Sequence, residues 1–388
     1  MYLYLNEIIH RSFEKIHLFL KDGQLKSSIC INNTQLSPKI SFKNTTVGPI
    51  GLGGIRWWMY ETSDDFVDDS VRLADGMTKK AALARLKLGG AKMVVRAWPY
   101  EKKDAKLYKF LGRCINAAEG HYFGGEDMGI NEFDVQEITK YSPFVFGRPK
   151  DQGGSGNPKE YTKNSIFRSI EALLEFLNLT FEESSFIVQG IGSVGWAVVE
   201  ELYKRKAKKV VVSDVDARKI SMALDAFPGI ETSSPYDPAK PNIITTKMEI
   251  FQEGDIFVPC ARGGILNEHS MRFLKFRGIC GSANNQCLCD KEAGEKLHRK
   301  GIVYVPDFLA NNGGLINVAD ELEPDGYNEN RVNERIAKNY PLTKELLEKS
   351  RREKRPPVEI AIEMAEDFIE KNAERPPRAE KVIKIHNF

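Results

Sequence analysis

The spacing of apolar positions changes character along this chain, and the changes divide it. In the first third, short apolar runs such as "SSICINN" and "AKMVVRAW" predict strands. Between and after them, "DDFVDDSVRLADGMTKKAALARL" and "DAKLYKFLGRCINAAEG" carry the period of amphipathic helices. "GRPKDQGGSGNP" then turns to glycine and polar residues, as a connection between domains does. Ile166, Ile170, Leu173, Leu174 and Leu177 follow on one helical face. Beyond them "SFIVQG", "KKVVVSD", "IFVPCA", "GICGSA" and "IVYVPDF" alternate with helical segments such as "VGWAVVEELYKRK" and "DARKISMALDAF". Continuous apolar strands separated by helices are the pattern of βαβ units and a parallel sheet covered on both faces. From about Asn328 the chain reads as helix, broken at Pro341 and at Pro356-Pro357. The pattern predicts two α/β domains, residues 1–146 and 147–339, with the C-terminal helices from about 340 to 388 packing back onto the first.

Composition narrows the partners. A chain of 388 residues is long enough for two buried cores. Its 56 basic and 54 acidic residues leave a net charge of +2, which proposes neither a nucleic acid nor a membrane surface. The N-terminus mixes charged and apolar residues without an apolar signal core, and no stretch reaches the ~18 apolar residues of a membrane span. Six cysteines are scattered; Cys287 and Cys289 form a C-x-C pair, too little for zinc without further ligands at spacing, so no metal is expected. Buried thiols in a reducing compartment are the reading, and with them a cytoplasmic protein.

One glycine motif sits where it has a mechanism. Gly190-Ile191-Gly192-Ser193-Val194-Gly195 follows an apolar strand and opens a helix. In that setting Gly190 allows the tight turn, Gly192 admits a pyrophosphate to the backbone, and Gly195 lets helix and strand pack closely. The helix start at Ser193 and Val194 then receives the phosphate charge. Asp214 ends the next apolar run, 19 residues after Gly195. An acid there binds ribose hydroxyls and repels a 2′-phosphate, which favours NAD over NADP. The other reading of Asp214 is a helix cap, a task Asp216 also suits.

The segment "GMTKKAALARLKLGGAKMVV" carries Lys80 and Lys92 around the pair Gly89-Gly90. On these residues alone, Lys80 reads more readily as an exposed helix lysine beside Lys79, and Lys92 as a strand-edge lysine. Further blocks change that: "GPIGLGGIRWW", "GGEDMGINEFDVQEIT", "GSGNPKEYT", "DIFVPCARGGILN", "GSANNQ" and "GIVYVPDFLANNGGLINVADE". Together with the glycine motif they resemble the glutamate/leucine/phenylalanine/valine dehydrogenases, most closely the branched-chain and aromatic members.

The resemblance implies an N-terminal α/β substrate domain and a Rossmann NAD-binding domain with a cleft between them. It also implies NAD-dependent oxidative deamination of an L-amino acid to a 2-oxo acid and ammonia, and the reverse reaction. On the matching positions, Lys80 holds the substrate carboxylate, Lys92 is the catalytic lysine and Asp127 the general acid/base. Asn285 belongs to the "A-x-N-Q" element, with Asn284 beside it as a competing choice. Thr162 falls near the nicotinamide, Gly53 and Gly54 line the cleft, and Leu52, Gly125, Leu315 and Val318 shape the side-chain pocket. Members commonly assemble as homo-oligomers, so a dimer or octamer is implied.

The chemistry agrees with these assignments. A zwitterionic substrate needs a fixed cation, which Lys80 supplies as a point charge. A second lysine in the same closed site has its pKa lowered by desolvation and by the neighbouring ammonium, so Lys92 activates water. Gly89 and Gly90 are expected to let substrate approach the turn. Leu52 stands where glutamate-specific members carry a lysine, and an unpaired side-chain carboxylate there costs several kcal/mol. Gly125 and Leu315 tilt the pocket toward phenylalanine ahead of leucine or valine. Three positions depart from the family pattern: Arg85, Ala91 in place of a glycine before Lys92, and "KEYTKNS" after the "NP" turn. They support the alternative of a catalytically weak paralogue that binds NAD in a regulatory or binding role.

Overall fold

A computed structural model describes residues 13–43, 45–233, 249–261, 263–287, 290–376 and 381–388. The chain divides into two units: residues up to Pro158 with Leu315–Val332 and Ala365–Phe388, and Lys159–Gly314 with Asn333–Met364. The first unit thus continues past residue 146. The expected return of everything after about 340 does not describe residues up to Met364, which group with the second unit.

In chain order the first unit contains β1 (Lys15–Lys21), β2 (Gln24–Asn33), a hairpin of β3 (Ile40–Phe42) and β4 (Thr45–Val47), then β5 (Gly51–Leu52) and β6 (Ile55–Trp58). Helix α1 (Ser63–Leu83), β7 (Gly89–Arg96), α2 (Ala105–Asn116), β8 (Tyr122–Phe123) and α3 (Glu132–Thr139) complete its first stretch. The C-terminal strand Val382–Asn387 lies parallel to β1 and starts the sheet, which continues β1-β2-β7-β5-β8, with β6 also on β7. Those last residues were expected to be helical. Val382, Ile383 and Ile385 suit a strand instead, and pairing with β1 supplies its partner.

Strand β7 is interior, with β2 antiparallel on one side and β5 and β6 parallel on the other. Its alternation sorts its residues. Ala91, Met93 and Val95 pack with Leu107, Leu111, Val135 and Ile138 of α2 and α3. Val94 packs with Phe66, Val71 and Ala74 of α1, and Gly90 lies under Thr78 of the same helix. Lys92, two residues from each, therefore faces α1. Both faces are covered, which is why the run is apolar almost throughout. Helix α1 starts at Thr62, whose side chain accepts a bond from the Asp65 amide, and it ends at Leu83. Arg85, at φ 56°, then turns the chain into β7, whose strand pairing begins at Gly89 rather than at Ala91.

The second unit opens with α4 (Lys159–Leu177) and continues with β9 (Ser185–Gln189), α5 (Ser193–Lys204), β10 (Lys209–Ser213), α6 (Ala217–Ala226) and β11 (Glu231–Thr232). Strands β12 (Glu253–Pro259), β13 (Lys275–Ile279) and β14 (Val303–Tyr304) follow. All pair in parallel, in the order β11-β10-β9-β12-β13-β14. This is the doubly wound order 3-2-1-4-5-6, whose switch point lies between β9 and β12 at the carboxyl ends of the strands. Helix Asn339–Glu353 packs on α4, where Ser169 and Thr343 share a hydrogen bond of 3.0 Å. Pro341 falls in its first turn, where the missing N–H interrupts nothing; the break lies at Lys338. Among the described residues, no helix is long and apolar enough to cross a membrane.

Candidate functional site

The face of the first sheet under α1 carries an alternating chain of charges. Lys92, only 3% exposed, donates from Nζ to Asp127 Oδ2 at 3.0 Å. Arg56 stands across from Val94 in the register of β6 on β7, and so points to the same face. Its Nε donates to the same Asp127 oxygen at 2.9 Å, and its Nη1 to Asp69 Oδ2 of α1, also at 2.9 Å. The Tyr60 hydroxyl closes the chain on Asp69 Oδ2 at 2.6 Å.

Lys80 lies in the last turn of α1 and is 7% exposed, while its neighbour Lys79 pairs with Asp75 at 2.8 Å. The bland readings of both lysines fail here, because Lys80 is buried and Lys92 belongs to an interior strand.

Burial lowers the pKa of Lys92; Asp127 pulls it back up, and Arg56 adds to the lowering. The second cation acting on Lys92 is thus an arginine that sequence reading did not single out. Burial by itself would raise Asp127, but Lys92 and Arg56 outweigh it and hold the carboxyl below the usual range. The adjacent Glu126 behaves in the opposite way, pushed up to about 7 by burial and then by Glu132 and Asp134. Two consecutive acids are thereby separated, and only Asp127 is a buried carboxylate between cations. The sequence signal for Arg56 was its place in "GGIRWW": an arginine inside an apolar strand needs a buried anion. Asp69 had no such signal among the four aspartates of "DDFVDD".

The glycines explain how the chain brings these groups together. A Cβ at Gly53 would stand 1.7 Å from the Ala91 carbonyl, and one at Gly54 would stand 2.6 Å from the Glu126 carbonyl and 2.7 Å from Asp127 Cβ. Side chains there would hold the Lys92 strand and the Asp127 turn apart. At Gly89 and Gly90 a Cβ would meet Asn33 O at 2.3 Å and Thr78 N at 2.1 Å. The space expected for substrate at that pair is filled by β2 and α1, so these glycines serve packing.

The departures at Ala91 and Arg85 also find ordinary explanations. Ala91 is a buried strand residue, and Arg85 sets its guanidinium 4.6 Å from the centre of the Phe368 ring. Leu52 is buried in β5. A Cβ at Gly125 would meet nothing nearer than Phe146 O at 3.4 Å, so this glycine leaves room. Leu315, buried, and Val318, half-buried, lie three residues apart on the helix Gly313–Ala319 and share a face.

In the second unit the glycine motif links β9 to α5. Gly190 takes φ 85°, and a Cβ there would stand 2.7 Å from Ala261 Cβ; at Gly195 it would meet Gly190 O at 1.9 Å. Gly192 has open space around it and starts α5 without any side-chain cap. The helix start at Ser193, exposed, and Val194, half-buried, therefore presents an anion cradle. Asp214 accepts from the Ile191 amide at 2.8 Å and from the Asp216 amide at 2.9 Å, while Asp216 itself caps α6. The capping alternative for Asp214 thus passes to Asp216.

Asn285 sits at φ 52°, its amide bonded to Asp307 Oδ2 at 3.0 Å. Asn284 has its side-chain oxygen engaged by Asn311 at 3.0 Å, which separates the two neighbours. Thr162 is half-buried in the first turns of α4, and its carbonyl accepts from the Ser165 hydroxyl at 2.9 Å. Cys289 lies outside the described residues. Among those described, no group of three or more His, Cys, Asp or Glu is arranged to hold a metal ion.

The chain matches the family model described as "Glutamate/Leucine/Phenylalanine/Valine dehydrogenase" over residues 153–374, and the "Glu/Leu/Phe/Val dehydrogenase, dimerisation domain" model over residues 39–142. It is 36% identical to a leucine dehydrogenase of Geobacillus stearothermophilus over 85% of this chain and 86% of that one. It is 35% identical to a phenylalanine dehydrogenase of Caldalkalibacillus thermarum over 88% of this chain and 90% of that one. Among solved structures, the L-tryptophan dehydrogenase from Nostoc punctiforme is similar with a TM-score of 0.69 at 27% identity, covering 96% of this chain and 99% of that one.

Proposed function

The chain belongs to the glutamate/leucine/phenylalanine/valine dehydrogenase family, and from that premise we propose that it catalyses NAD-dependent oxidative deamination of an apolar L-amino acid, and the reverse reductive amination. The observation that carries the reading is the buried Lys92–Asp127 pair at 3.0 Å. Lys80 receives the substrate carboxylate. Lys92, its proton loosened by burial, draws a proton from the water that attacks the iminium carbon. Asp127 meets the amino group: it takes a proton from the substrate amine before the hydride leaves Cα and returns it to the carbinolamine nitrogen. That nitrogen departs as ammonia as the carbinolamine hydroxyl gives up its proton and the carbonyl forms. NAD, when bound, accepts the hydride from Cα. Gly190, Gly192, Ser193, Val194 and Gly195 would cradle its pyrophosphate, Asp214 its ribose, and Thr162 and Asn285 the nicotinamide end. The uncapped helix start and the open space at Gly192 fit that group. The dimerisation model over 39–142 supports a homo-oligomer, read here as a dimer or octamer.

The test is NADH formation across a panel of L-amino acids. Oxidation of apolar members is expected; NAD binding without turnover of any of them would overturn the reading in favour of a regulatory NAD-binding protein. Asp214→Ala removes a charge-assisted bond to the Ile191 amide as well as the proposed ribose ligand. NAD affinity should fall about 10–100-fold, and discrimination against NADP should narrow. Fluorescence titration with both nucleotides checks this, and unchanged NAD affinity would remove Asp214 from the site.

We further propose phenylalanine ahead of leucine and valine, with Leu52 disfavouring glutamate. Gly125→Ala adds a methyl at ordinary contact distance and should fold normally. It should lower the kcat/KM ratio of L-phenylalanine over L-leucine by about tenfold. An unchanged ratio would take Gly125 out of the pocket.

A further inference from the structure

Asp127 uses one oxygen for two cations. Lys92 Nζ and Arg56 Nε both lie within 3.0 Å of Oδ2, whereas Oδ1 has no hydrogen-bond partner among the described residues. Arg56 cannot swing to serve only Asp127, because its other arm is held by Asp69, and Asp69 is held in turn by Tyr60. The arginine, both aspartates and the lysine have side chains no more than 13% exposed. In such surroundings each charge acts on its neighbours with little screening.

We infer that Arg56 and Asp69, closed by Tyr60, are positioning residues that lock Asp127 through Oδ2, leave Oδ1 for the substrate amino group, and set the proton affinity of Lys92. The inference rests on the deamination reading above. A guanidinium suits the task because its planar fork bonds two carboxylates at once and stays charged at any working pH. The sign of each charge fixes what its removal does. Arg56 disfavours the protonated form of Lys92, and Asp69 favours it. Glu126, beside Asp127, changes state near neutral pH, pushed up to about 7, but the charges that act on it are Glu132 and Asp134 and not Arg56 or Asp69, so its titration does not follow substitutions at those two residues. Cys30, opposite Lys92 on β2, the Tyr60 hydroxyl on Asp69, and the Tyr122 hydroxyl on the Gly53 carbonyl all remain protonated through burial. Lys80 contributes a cation from α1.

The experiment is the pH profile of kcat/KM for the best L-amino acid, measured on the whole enzyme and on Arg56→Gln, Arg56→Lys, Asp69→Asn and Tyr60→Phe. The acid limb reports loss of the Lys92 proton. It should move up by about one pH unit or more in Arg56→Gln and down in Asp69→Asn. Arg56→Lys keeps the charge without the fork, so the limb should stay while kcat falls about tenfold. Tyr60→Phe should lower kcat with little movement of the limb. A merely structural ion pair predicts losses of kcat and stability with the limb fixed in every variant, and that result would overturn the inference. If Arg56→Gln fails to fold, the isosteric Asp69→Asn still decides, since a limb that does not fall refutes the coupling. Wild-type enzyme that oxidises no amino acid would instead refute the functional reading, so the two failures are distinct.

Discussion

Lys92→Ala is expected to lower kcat for amino-acid oxidation by about 10²–10⁴-fold, the range for loss of a positioned acid–base group. NAD affinity should be unchanged, because Lys92 belongs to the first unit and the proposed nucleotide cradle at Gly190–Gly195 to the second. The fold should survive. Without the lysine, Asp127 still receives Arg56 at 2.9 Å, so no buried carboxylate is left without a counter-charge. The pH dependence carries the sign. In the wild type, oxidation rises with pH as Lys92 loses its proton, at a value that burial places below that of a free lysine. In the variant that limb should disappear rather than move. Stopped-flow and steady-state NADH formation over a pH series would measure both effects. Near-normal turnover, or a persisting limb at the same pH, would assign the base to another group.

Which features were legible in the sequence follows from where their causes lie. The second unit was readable because strands β9, β10 and β12 are covered on both faces and so appear as unbroken apolar runs. β1 escaped notice because "KIHLFLK" carries Lys15 and His17 at positions that are buried in the fold. The C-terminal strand escaped because among the described residues it pairs with β1 alone, with His17 and His386 bonded across 369 residues of chain. The same distinction holds in the site. Lys92 and Asp127 stood inside recognisable blocks, whereas Asp69 and Tyr60 matter only through Arg56, a contact that no local pattern encodes. Gly89 and Gly90 show the converse error. A glycine pair signals close approach, but not by what, and here the approaching groups are Thr78 and Asn33 rather than substrate.

Asp127→Asn separates the two members of the central pair, because it should damage stability as well as catalysis. The carboxylate is the anion between Lys92 and Arg56, and its side chain is 12% exposed. Breaking a buried pair from one side costs about 3–5 kcal/mol. Two features reduce that cost here. Arg56 keeps Asp69, and Lys92, having lost the group that most raises its pKa, gives up its proton more readily than in the wild type. The loss should therefore fall toward the lower end of that range, yet exceed that of Lys92→Ala, which leaves Asp127 paired. The pH dependence again has a fixed sign. Asp127 binds its proton more weakly in the folded chain than in the unfolded one, so its stabilisation is complete above the ordinary aspartate pKa of about 4 and fades as pH falls through the folded value. Urea unfolding of wild type and variant should show a gap that is wide at neutral pH and narrows only in acid. A gap that stays constant with pH, or a variant as stable as Lys92→Ala, would mean that the carboxylate is not what holds these two cations in the fold.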